Sequence, residues 1–221
     1  MRKGSILCTV MLVLLSACGG EGAGSEQEML DARSKYLSMA GCTAQVELTA
    51  DYGERIFPCT VVLDHTAGGE TTLTLLEPEL LRGVTARVRA GELTLEFDGM
   101  AVEAGPLLPE GLSPLDCLPF VLEQMKTGYL SQWGYETVGE RECLRLTASD
   151  PEKEPGEGVE TTLWLLRPGY ELLRAEVSVE GRMALRCECT EFEWKENKRE
   201  TKDGTDTNED LGGDRPEGTG A

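Results

Sequence analysis

The stretch TAQVELTA, residues 43–50, is apolar at Ala44, Val46, Leu48 and Ala50 and polar at Thr43, Gln45, Glu47 and Thr49. Successive side chains of a strand point to opposite faces, so this two-residue period describes a strand with one dry and one wet face. Just upstream the period is helical. Met29, Ala32, Tyr36, Met39 and Ala40 recur at three- and four-residue steps and share one face. Ser25 suits an N-cap, with Glu28 three residues on completing a capping box, and Gly41 suits a stop. The change of period at Gly41 decides the fold class, a mainly β (α+β) chain introduced by one helix.

Working outward, a turn at Tyr52-Gly53 returns the chain into a strand from Arg55 to Asp64, and Asp64 to Gly69 reads as a loop. Thr71 to Leu76 is a third strand, and Val84, Ala86 and Val88 mark a fourth. Turns at Ala90-Gly91 and Asp98-Gly99 then join Leu93–Phe97 and Ala101–Ala104, the second with a strong two-residue hairpin signal. Six strands come as a meander. Leu112 to Gly128 interrupts them with a second helical region, in which Ser113 can cap, Pro114 suits the first position and Asp116 completes a box. Pro119 predicts a short first turn and a helix over 119–127, with Leu118, Val121, Leu122 and Met125 as its apolar stripe. That stripe packs a core, and the alternative that it also lines a ligand cavity stays open. Strands resume at Tyr135–Gly139, Cys143–Ala148, Thr161–Arg167, Leu172–Glu180 and Arg182–Trp194, with a charged loop from Ser149 to Gly158. The total is about eleven antiparallel strands. From Lys195 to Ala221, Gly, Asp, Glu and Thr dominate, which predicts a disordered acidic tail over 195–221.

The first eighteen residues obey a different logic. Arg2 and Lys3 precede an apolar run from Ile6 to Leu15, too short for a comfortable membrane span, and small residues come after it. This is the layout of a secretory signal. Its ending, Leu15-Ser16-Ala17-Cys18, resembles the lipobox of bacterial lipoproteins, whose cysteine is acylated, palmitate being among the chains, and becomes the first mature residue. The resemblance implies a signal peptide over 1–17, a lipid on Cys18 and anchorage at the extracytoplasmic face of a bacterial cell membrane. Several acyl chains, at about 0.8 kcal/mol for each buried methylene, hold far more firmly than one. An ordinary signal peptide with a cysteine at the cut is the alternative. Gly19 to Gly24 is small and acidic, which suits a tether over 18–24 before a folded domain over 25–194.

The chain has 21 Lys and Arg against 40 Asp and Glu, a formal charge of −19, and loss of Arg2 and Lys3 with the signal takes it to −21. Nucleic acid and anionic headgroups reward clustered Lys and Arg, so neither is an expected partner. Beyond Cys8 and Cys18 there are six cysteines: Cys42, Cys59, Cys117, Cys143, Cys187 and Cys189. An even number in an exported domain points to disulfides, with buried free thiols as the alternative. If Tyr52-Gly53 is a two-residue turn, Cys59 lies opposite Val46, which puts Cys42 roughly 13 Å out of register. Cys187 and Cys189 project from one face about 7 Å apart. Neither pair is within disulfide reach. Bridges would instead run from the last strand to the first two and from Cys117 to Cys143. Cys187-x-Cys189 is the sole close pair and has no histidine partner, so no metal is expected. The single histidine, His65, sits between Asp64 and Thr66 and reads as a surface turn residue without a nucleophile to serve. No glycine-rich phosphate loop is present, and neither an enzyme nor a cofactor is expected.

The lipobox, a leading helix, six meandering strands, an inserted helix and five more strands, in that order, resemble the Lol lipoprotein-carrier (LolA/LolB-like) superfamily over roughly Ser25 to Trp194. Pro168-Gly169-Tyr170 with Leu172 to Gly181 looks like the late hairpin of that family. The resemblance implies a curled antiparallel half-barrel whose concave face is closed by the two helices and holds acyl chains of lipids or lipoproteins. Apolar-stripe positions on that face are Val46, Leu48, Val88, Leu95, Phe97, Val121, Met125, Leu163 and Leu165, the candidate ligand-binding residues. A scaffold or sensor that binds other envelope proteins through a solid fold is the competing expectation.

Overall fold

The computed structural model of the protein describes residues 21–89, 92–104 and 112–196. The expected signal, Cys18, the expected turn at Ala90-Gly91 and positions 197–221 of the expected tail lie outside the described residues. Helix α1 (Glu21–Ser38) leads into a single eleven-stranded antiparallel sheet. The strands are β1 (Gly41–Asp51), β2 (Ile56–Thr66), β3 (Glu70–Glu77), β4 (Thr85–Arg89), β5 (Glu92–Phe97) and β6 (Met100–Ala104), followed by β7 (Tyr129–Val138), β8 (Arg141–Ser149), β9 (Val159–Leu166), β10 (Leu172–Val179) and β11 (Arg182–Trp194). Helix α2 (Cys117–Thr127) stands between β6 and β7. Spatially the order is β6-β5-β4-β3-β2-β1-β11-β10-β9-β8-β7, so two meanders join where the first strand pairs with the last. The sheet curls without closing, with β6 and β7 at its ends, which is the expected half-barrel.

The alternation of residues 43–50 is the burial pattern observed: Ala44, Val46, Leu48 and Ala50 are buried and face the helices. Three boundaries differ from expectation. Helix α1 starts at Glu21, which makes part of the expected tether helical and puts Ser25 inside the helix. Glu28 is then too far from the N-terminus to close a capping box. Its carboxylate instead accepts from the Arg167 guanidinium at 2.6 Å and the Tyr135 hydroxyl at 2.8 Å. The first hairpin turns through Tyr52–Arg55 rather than two residues, because Asp51 pairs with Ile56. Cys59 therefore lies opposite Leu48, not Val46, and Cys42 opposite His65, six residues out of register with Cys59. Strand β7 begins at Tyr129, directly after α2. A register irregularity between Leu130 and Gln132 breaks the two-residue period that would have revealed its first half.

Pro119 does not delay α2. It is the third residue of the helix, within the first turn, where a missing N–H costs no intrahelical bond. Both predicted capping groups act upstream: Asp116 Oδ1 accepts from the Ser113 N–H at 3.0 Å, and Ser113 Oγ accepts from the Leu115 N–H at 3.3 Å. Helix α1 clamps the other end of α2. Arg33 donates from Nε to the Met125 carbonyl at 3.1 Å and from Nη2 to the Gly128 carbonyl at 2.6 Å, placing a cation at the negative end of the helix dipole. Helix α1 is itself seated by Tyr36, whose hydroxyl donates to the Tyr170 carbonyl at 3.0 Å and whose ring meets Trp194 edge-on at 5.0 Å. Lys35 lies over the same Trp194 ring at 4.5 Å. Among the described residues no helix is long and apolar enough to cross a membrane.

Candidate functional site

The concave face is built from rows of side chains that cross the strands. One row runs Leu146, Leu163, Ala175, Cys187, Leu48 and Cys59 through β8, β9, β10, β11, β1 and β2. Another runs Ala44, Leu63, Leu73, Ala86, Leu95 and Val102 from β1 out to β6. Helix α2 lies across these rows. At its N-terminal end Cys117 touches Cys187 on β11, and near its C-terminal end Lys126 reaches His65 on β2.

The nine candidate residues divide into two groups. Val46, Leu48, Val121, Met125, Leu163 and Leu165 are at most 1% exposed. Virtually no water-sized space touches these six side chains, so among the described residues they form a packed centre and do not line an open hollow. Val88 and Leu95 are only partly buried, and Phe97 is 46% exposed. These three belong to the outer wing formed by β4, β5 and β6, where the row partner of Leu95 is Val102 and that of Phe97 is Met100. Val102 and Met100 are 63% and 67% exposed. The opposite face of the wing is polar: Arg87 there bridges Glu70 at 2.7 Å and Glu96 at 2.8 Å. The sequence alternates as if the inner face were covered, yet its apolar side chains become steadily more open toward β6. Met100 and Val102 fall outside the candidate set, although their two-residue spacing with Ala104 places them on that face.

A polar rim borders the filled centre. His65 is not in a surface turn. It lies in β2, half-buried on the concave face, because the strand continues to Thr66. The Lys126 ammonium can only donate, so it contacts His65 Nε2 as an acceptor at 3.2 Å, and the proton on Nδ1 faces Thr71 Oγ1 at 2.7 Å. Burial first, then the Lys126 and Lys195 charges, push the imidazole down to about 4, against the opposing carboxylates of Asp64 and Glu123. His65 is therefore neutral at physiological pH. At the far rim an open cleft of about 380 Å³ is lined by Asp51, Tyr52, Leu112, Val179, Arg182 and Met183 among others.

All six described cysteines are free and buried. Burial raises the thiols of Cys42 and Cys59 to about 11 and that of Cys189 to about 12. The expected Cys117–Cys143 bridge has no geometric basis. Cys143 packs on the other side of the sheet with Trp164 and Leu173, while Cys117 faces the concave core. Among the described residues no group of three or more His, Cys, Asp or Glu is placed to hold a metal ion.

No family model and no curated protein sequence matches the chain. Among solved structures, an uncharacterized conserved protein from Thermus thermophilus is similar with a TM-score of 0.49 and 16% identity, over 81% of this chain and 96% of that one. The lipoprotein LppX from Mycobacterium tuberculosis is similar at 0.41 and 16% identity, over 79% and 94% of the two chains. A LolA superfamily protein from Nitrosomonas europaea gives 0.40 and 11%, over 77% and 94%.

Proposed function

We propose that the protein is a lipid-anchored, non-catalytic binding module of the bacterial envelope that holds a hydrophobic ligand, such as an acyl chain of a lipid or lipoprotein, on its concave face. The observation that carries this reading is the wing of β4, β5 and β6, whose inner apolar side chains Leu95, Phe97, Met100 and Val102 are left open while its outer face is charged. An exposed contiguous apolar surface rimmed by polar groups is characteristic of a binding site. The ligand would lie along the wing and reach toward α2, not fill the already packed centre. The formal charge of −19 favours an apolar tail with an uncharged or cationic head over an anionic lipid. The anchor is read from Leu15-Ser16-Ala17-Cys18.

The packed centre favours a second reading, a scaffold that contacts other envelope proteins through the same wing. One experiment separates the two. Protein isolated from membranes is analysed by native mass spectrometry for co-purifying lipid and titrated with a fluorescent fatty-acid analogue. Bound lipid or saturable probe binding supports the module. Protein free of lipid that does not bind the probe supports the scaffold and refutes acyl binding.

A further inference from the structure

Five of the six described cysteines belong to the concave core, and two of them bring their sulfurs into contact. Cys117 is the first residue of α2, Cys187 lies in β11, and their Sγ atoms are 3.6 Å apart across 70 residues of sequence. Cys117 is close enough to Cys59 to help raise its thiol, but Leu48 separates Cys59 from Cys187 in adjacent strands. Two strand spacings are roughly 10 Å, beyond the Cα separation that a disulfide allows. Cys42 and Cys189 face the same way from neighbouring strands but pair with Trp194 and Val46 respectively, four residues out of register. Cys117 and Cys187 are the pair that the fold brings together.

We propose that Cys117 and Cys187 form a site of reversible oxidation whose disulfide staples α2 to β11. The sulfurs must approach by about 1.5 Å to reach bonding distance, and Cys117 sits at a helix end where a side-chain rotation with a small shift of the first turn supplies that movement. The oxidant is a disulfide, R–S–S–R, of a small thiol or of a thiol-exchange protein. One cysteine thiolate attacks a sulfur of the oxidant, forming a mixed disulfide and releasing one R–SH. The second cysteine then attacks that mixed disulfide, closing the Cys117–Cys187 bond and releasing the second R–SH, so the two cysteines are oxidised and the reagent is reduced. Both thiols are buried, and the hydrogen bond to Cys117 and burial hold the Cys187 thiol well above the usual range. The first attack therefore takes place while α2 is lifted or the chain is still folding, and docking of α2 delivers the second thiol. In the reduced protein α2 is held over the concave face by packing and by Arg33. In the oxidised protein a covalent bond holds it as well. This inference stands on the thiol geometry and is independent of the ligand.

The test uses the mature chain isolated from membranes in detergent, unfolded in urea and refolded with reduced and oxidised glutathione so that access to the thiols is not limiting. Unreduced peptide mapping is expected to yield a Cys117–Cys187 linked peptide that dithiothreitol removes, with two fewer titratable thiols. Cys59→Ala should retain it. In the oxidised wild type, amide exchange in the first turns of α2 should slow at least tenfold relative to the reduced wild type. Refolded protein with Cys117 and Cys187 both free, or with Cys117 linked to Cys59 or Cys143, would overturn the assignment. A linked pair that leaves exchange in α2 unchanged would overturn the staple.

Discussion

Removing the guanidinium of Arg33 tests how α2 is held over the concave face. Arg33 makes two hydrogen bonds to carbonyls at the C-terminal end of α2, at 3.1 Å to Met125 and 2.6 Å to Gly128. A hydrogen bond to a charged group contributes about 1.5–3 kcal/mol, and a cation at a helix C-terminus adds about 0.3–1 kcal/mol. Arg33 is only partly buried, so water re-satisfies part of what is lost, and the expected cost is about 2 kcal/mol. Arg33→Met keeps an apolar stem and deletes both donors, which separates the bonds from the packing of the methylenes. With a urea m-value of about 2 kcal/mol/M, the midpoint should fall by about 1 M. Arg33→Lys supplies one point charge in place of a fork and should recover no more than about half of that loss. Equilibrium urea unfolding followed by tryptophan fluorescence provides the measurement. An Arg33→Met midpoint within about 0.2 M of wild type would refute the clamp, because the stem alone would then account for the contact.

Phe97→Ser should weaken binding of a fluorescent fatty-acid analogue while sparing the fold. Covering the exposed 46% of a side chain of about 200 Å² hides about 90 Å², or about 2 kcal/mol and roughly 30-fold in affinity, and an unchanged titration would count against the wing as the site. Met125→Ala should do the opposite, destabilising the fully buried stripe of α2 by about 2–5 kcal/mol in the same urea assay. His65 makes stability pH-dependent. Its folded value of about 4 is below its unfolded one of about 6.5, so the unfolded chain binds the extra proton between them and stability falls as pH drops from about 6.5 to about 4. His65→Gln should flatten that slope above pH 5, where carboxylates contribute least, and an identical slope in the variant would show that another group is responsible.

Strand content was readable because alternation is local. Ala44 to Ala50, Cys143 to Ala148 and Arg182 to Trp194 carry their pattern in consecutive residues, and each is a strand. The unclosed curl came from the order of elements, whereas the junction of β1 with β11 has no local signal at all. Features that depend on one residue more or less were misread. Two additional turn residues at Tyr52–Arg55 moved Cys59 from Val46 to Leu48, and with it every inferred cysteine distance on β2. His65 went from loop to half-buried strand because β2 continues past Asp64 on a polar sequence. The seven candidate residues on strands point to the inner face and Val121 and Met125 lie on the buried stripe of α2, but periodicity records which way a side chain points and not whether anything covers it. Val46 and Phe97 look alike in sequence, and only the packing of α1 and α2 distinguishes the filled centre from the open wing.

The pairing of β1 with β11 also bears on how the chain is made. Cys42 lies opposite Trp194, about 150 residues later, so at roughly 5–20 residues per second the first strand waits on the order of ten seconds for its inner neighbour to be synthesised. Throughout that time β1 presents an unpaired edge whose dry face carries Val46 and Leu48, the kind of surface that recruits other chains. The sheet is thus completed in its middle and not at its margin. Only the thirteen residues Arg182–Trp194 stand between β1 and β10, so the union of the two meanders into one sheet depends on the last strand made.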